Sequence, residues 1–113
     1  MLFAAKLARK YWELAATWLE VERAEYRLSQ SHLSAGEIEL AIQHAKLCLE
    51  ICQNNSANPM ELFFAYECFA KIYRKQNKED EFANAIQRME FYLSKLNKDE
   101  NPWCVRALNA LKV

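Results

Sequence analysis

His44, Cys48 and Cys52 recur every four residues, a spacing that stacks side chains along one stripe of an α-helix, and imidazole and thiolate are both ligands for zinc. The same positions also suit plain packing. Cys48 and Cys52 match Met89 and Leu93 in a later stretch of similar pattern, and a buried cysteine behaves as a small hydrophobe. The packing reading is preferred, so no metal and no cofactor is expected. Cysteine–histidine catalysis would need a thiol activated by an adjacent base in a cleft, whereas this reading sets each thiol in or beside the core. His32 likewise has Tyr73 as its counterpart in that stretch and fills an aromatic slot. The chain holds no phosphate-binding glycine loop, no His-Glu-x-x-His and no Gly-x-Ser-x-Gly, and its single glycine excludes most such loops. An enzyme is not expected.

A second group, Lys71, Arg74 and Lys75 with Lys78 just beyond, places cations on one broad helical face. It is a local feature, because 15 Lys plus Arg balance 15 Asp plus Glu and leave no overall field to attract nucleic acid or an anionic membrane. Aromatic residues beside basic ones, as at Lys10 with Tyr11 and Trp12, could stack on bases. At helical spacing such aromatics are core, so nucleic-acid binding is not expected.

The elements that must carry these residues are helices. In 113 residues there are one glycine and two prolines, with 52% apolar residues, which suits long segments around one core. Capping patterns mark the boundaries: Thr17-x-x-Glu20, Ser34-x-x-Glu37 and Asn58-Pro59-x-Glu61 each set a capping side chain three residues before a glutamate. Asn101 and Pro102 repeat the start signal, and Gly36 and Gln76-Asn77 are the expected tight turns. The result is about six helices, at 3–16, 18–34, 37–53, 59–75, 79–96 and 102–111. No glycine or proline divides the first two, so 3–34 also reads as one long bent helix. No apolar stretch approaches the roughly 20 residues of a membrane span. The N-terminal residues lack the order of a secretion signal, and a cytoplasmic protein with four reduced, mostly buried thiols is expected.

Sliding the chain so that Thr17 falls on Asn58 also aligns Glu20 with Glu61, Ala24 with Ala65, Leu28 with Phe69 and His32 with Tyr73. Beyond the turn, Gly36 meets Asn77, Ala41 meets Phe82, Ala45 meets Ile86 and Cys48 meets Met89. A register held over a whole helix pair marks an internal repeat. The run Leu28, Ser29, His32, Gly36, Ala41, Ala45, Cys48, echoed by Phe69, Ala70, Tyr73, Asn77, Phe82, Ile86, Met89, resembles the tetratricopeptide pattern over about residues 18–96. Three departures stand out: a period of about 41 against the usual 34, no aromatic at the usual place early in the first helix, and Asn77 in place of the turn glycine. The longer period with Asn-Pro at the unit boundary is similar to the elongated variety of this repeat.

The resemblance implies an all-α, right-handed superhelix (solenoid) of antiparallel helix pairs. It makes residues 1–113 one domain, with units at about 17–57 and 58–98 flanked by helices 3–16 and 102–111. Its core would hold Leu28, His32, Ala41, Ala45, Cys48, Phe69, Ala70, Tyr73, Phe82, Ile86 and Met89. In that family the first helix of each pair lines a concave groove that takes a peptide or a helix of a partner protein. Carried over here, the lining is Arg23, Tyr26, Gln30 and Leu33, then Phe64, Glu67, Lys71, Arg74 and Lys75. The cations would suit an acidic partner, and the Lys and Asn set of the family's two-carboxylate clamp for chaperone tails is missing. The competing expectation is a structural role, with a homodimer formed through apolar end helices near Trp12, Trp18 and Trp103.

Overall fold

The computed structural model describes residues 17–97 and 99–112. Among these there are five helices and no strand: α1 (Trp18–Ser34), α2 (Ile38–Asn54), α3 (Pro59–Lys75), α4 (Glu79–Leu93) and α5 (Pro102–Lys112). None of them is long and apolar enough to cross a membrane. The helix expected at 3–16 lies outside the described residues. Thr17 is nonetheless extended (φ −77°, ψ 168°), so a single helix running unbroken through 3–34 is ruled out.

Local chemistry explains where these helices start and stop. Asn58 Oδ1 accepts the amides of Met60 and Glu61 at 3.1 and 3.2 Å, with Pro59 beginning the first turn, where its missing N–H costs nothing. At the head of α1, the Glu20 carboxylate accepts both the backbone N–H of Thr17, at 3.0 Å, and the Thr17 hydroxyl. The expected cap at Ser34 is not made: Ser34 is the last residue of α1, Glu37 precedes α2 without a side-chain cap bond, and its carboxylate faces His32 instead. Helix α4 stops at Leu93 rather than 96. There the Ser94 hydroxyl donates to Phe91 O at 2.6 Å, and the amides of Lys95 and Leu96 reach back only three residues, which tightens and ends the helix.

The turns α1–α2 and α3–α4 are the same structure, repeated at matching positions of the two helix pairs. In the first, Gly36 N–H donates to Leu33 O (3.0 Å) and Glu37 N–H to His32 O (2.9 Å); in the second, Asn77 donates to Arg74 O (3.2 Å) and Lys78 to Tyr73 O (3.0 Å). This paired bonding satisfies the last helical carbonyls and needs a left-handed residue at its centre. Gly36 (φ 79°) and Asn77 (φ 59°) supply it.

The chain divides into two compact units, Met1–Ser56 and Ala57–Val113. In the first, α1 packs along α2 with Ala41 and Ala45 fully buried at the crossing and the Ser29 hydroxyl donating to Ala41 O at 2.8 Å. In the second, α3 packs along α4, with Phe63, Ala65, Ile72, Ile86 and Met89 buried, while α5 touches both and buries Cys104, Leu108 and Leu111. Of the eleven expected core residues nine are buried; Tyr73 and Phe82 are only half-buried and line a shallow cleft at the α3–α4 turn.

Candidate functional site

Two kinds of place hold chemistry-bearing side chains together. The first is the outer face of α1 and, in the other unit, that of α3. Arg23, Arg74 and Lys75 are exposed there, and Tyr26, Gln30, Leu33, Phe64 and Lys71 are partly so. Glu67 differs from the expectation for a lining residue: it is 4% exposed, and its carboxylate lies 3.5 Å from Lys71 Nζ one turn on. Arg74 leans across its own unit to donate to Ala110 O near the end of α5, at 3.4 Å. Two of the three cations on α3 thus also have partners within the second unit. The exposed Arg74 contact is worth little to stability, whereas Lys71 pairs with a buried carboxylate that would be costly to leave alone.

The other place lies inside the first unit. Glu22, Glu25, Ser29 and His32 follow one another at three- and four-residue steps along α1, and all are buried, at 2%, 1%, 1% and 1% exposure. Helix α2 answers with His44, Ala45, Cys48 and Cys52. The Cys48 thiol donates to Glu22 Oε1 at 3.0 Å, and His44 Nδ1 lies 2.5 Å from Glu25 Oε2. The His44 ring stacks on His32 with centroids 5.1 Å apart and planes within 2°, while His32 Nδ1 reaches Glu37 Oε1 at 3.1 Å. A buried polar side chain costs several kcal/mol unless hydrogen-bonded; these pairings offset much of that cost, although His32 Nε2 stays buried without a hydrogen-bond partner.

At one end of this row, Glu22, Cys48 and Cys52 each offer a ligand atom, all within 4.8 Å of one another. His44, on the same stripe of α2 as the two cysteines, is drawn to Glu25 and belongs to the neighbouring pair. The cysteines are legible in the sequence and the carboxylates are not, because charged residues on a helix usually face water. A signal was present. In the repeat register Glu22 and Glu25 match Phe63 and Tyr66, positions on the packing face.

All four cysteines are reduced and buried. Burial, with the nearby Glu67 carboxylate adding to it, raises the Cys104 thiol above its ordinary range. In the same unit burial also raises the Tyr66 hydroxyl, which stacks on Tyr92 with centroids 5.9 Å apart. Neither group is set up as a nucleophile or base.

Comparison with known proteins finds no family, no curated protein and no solved structure that matches this chain.

Proposed function

We propose that the chain is a non-enzymatic helical-repeat module of tetratricopeptide-like kind, acting in the cytoplasm by binding a peptide or helix of another protein. The observation that carries this reading is the repetition itself. Two helix pairs share cap positions, helix starts and turn hydrogen bonds at one spacing, and units built alike are how repeat proteins present a regular surface. The surface assigned to the partner is on the first helix of each pair. On α3 it carries Lys71, Arg74 and Lys75 beside Phe64, which suits a partner with an apolar anchor and acidic groups.

The test is the double substitution Arg74→Glu, Lys75→Glu, both exposed. It should leave the melting temperature within a few degrees of wild type, since surface pairs contribute only about 0–1 kcal/mol. It should slow association with a partner first captured by the wild-type chain and then purified, most strongly at low salt, where charges within about 10 Å still interact. Equal binding by both proteins at low salt removes the basic face from the proposal.

A second reading is self-association. Trp18 and Trp103 are 37% and 43% exposed, and large apolar side chains on a surface invite a partner. A concentration-dependent mass in solution, abolished by Trp103→Ala, would favour it over the peptide-binding module.

A further inference from the structure

We propose that Glu22, Cys48 and Cys52 form a binding site for a thiophilic divalent cation of the zinc class. The two cysteines are one helical turn apart on α2, so their side chains rise on the same side of that helix. Helix α1 runs alongside and brings Glu22 up to them, with its Oε1 3.0 Å from Cys48 Sγ and the three ligand atoms within 4.8 Å. Zinc–sulfur and zinc–oxygen bonds of about 2.3 and 2.1 Å set tetrahedral ligand atoms about 3.5–3.8 Å apart. The observed triangle brackets that spacing, and side-chain adjustments of under about 1 Å would close it on an ion.

The second helix pair shows that the fold does not require these residue types. At the matching positions it packs Phe63, Met89 and Leu93, each buried at 0–6% exposure, around the same turn and the same helix starts. An apolar triad would therefore serve the scaffold as well. The first pair instead keeps a carboxylate and two thiols fully enclosed, and these are donors that favour zinc over magnesium or calcium. On binding, the two thiol protons leave to solvent, and two thiolates with one carboxylate surround the dication. Three protein ligands leave the fourth position of a tetrahedral ion to a small exogenous ligand such as water.

The probe is cobalt(II), added to the reduced full chain. One equivalent should develop a near-ultraviolet thiolate-to-cobalt charge-transfer band with the intense visible bands of a four-coordinate ion, and zinc should bleach both. Cys68→Ser and Cys104→Ser should leave the spectrum unchanged. Cys48→Ser with Cys52→Ser should abolish the charge transfer, and Glu22→Gln should weaken binding at least tenfold while both thiols remain. A reduced wild-type chain with no charge-transfer band overturns the proposal, as does a band that survives the double cysteine substitution. Should that double variant fail to fold, zinc protection of individual cysteines from alkylation, read by mass spectrometry on the wild type, decides the question. Selective protection of Cys48 and Cys52 supports the site. Protection no greater there than at Cys68 and Cys104 overturns it, leaving the Cys48–Glu22 bond as a core hydrogen bond.

Discussion

The two helix pairs are built to one backbone plan and filled with opposite chemistry. Where α1 and α2 place Glu22, Glu25, His32, His44, Cys48 and Cys52, α3 and α4 place Phe63, Tyr66, Tyr73, Ala85, Met89 and Leu93. The helices start at the same offsets and the turns close with the same hydrogen bonds. Core chemistry therefore does not dictate this backbone. Caps, a left-handed turn residue and small residues such as Ala24 and Ala65, buried at 3% and 0% exposure, are enough to set it. The polar filling is tolerated because its members bond to one another, as Cys48 to Glu22 and His44 to Glu25.

The contrast is broken most sharply by truncating the matched residues of α1 and α3. Phe63→Ala removes a ring with 0% exposure and should cost about 3–5 kcal/mol in urea denaturation. Glu22→Ala takes the acceptor from the Cys48 thiol and should cost less, about 2 kcal/mol. Similar losses at both sites would mean that the polar row is as structural as the aromatic one.

A smaller effect probes the helix crossing. Ala45 is 0% exposed where the second pair accommodates Ile86, so Ala45→Leu should cost about 1–3 kcal/mol by overpacking. A neutral result would show slack between α1 and α2 that the burial of Ala41 and Ala45 does not suggest.

The turns should respond in opposite senses. Gly36 adopts a φ of 79°, and a Cβ there would meet nothing within 4 Å, so Gly36→Ala isolates the backbone penalty of about 1–2 kcal/mol. At Asn77 (φ 59°) the change to glycine relieves that strain, and Asn77→Gly should raise or preserve the melting temperature.

The smallest expected effect separates the helix starts by pH. The Thr17 hydroxyl hydrogen bond holds the Glu20 carboxyl below its ordinary value of 4.5 against an opposing desolvation, with the Thr17 amide adding to the lowering. A carboxylate whose folded value is depressed contributes stability that is present above its unfolded value and lost as pH falls through the folded one. Wild type should thus exceed Glu20→Gln by a constant margin above about pH 5.5, and the margin should shrink as pH drops below about 4.5. The head of α3 is capped by the Asn58 amide, which does not titrate. Asn58→Ala should cost about 1 kcal/mol at every pH; a margin that varies with acid there as at Glu20 would contradict this division.

What the amino-acid order determined by itself was local. Asn58-Pro59 starts a helix, Gly36 and Asn77 end one, and the regular spacing of these signals located the first four described helices closely, the end of α4 excepted, because each signal depends on hydrogen bonds among residues a few positions apart. Only the tertiary structure decided which charged residues go inside. Glu22 meets Cys48 across 26 positions and Glu25 meets His44 across 19, while Glu67 turns inward to 4% exposure where an outward residue was expected. The physical reason is that helical periodicity assigns residues to faces, but the rotation of each helix against its neighbours chooses which face is enclosed. A glutamate on a broad apolar stripe reads as solvated until the opposing helix supplies the thiol or imidazole that satisfies it.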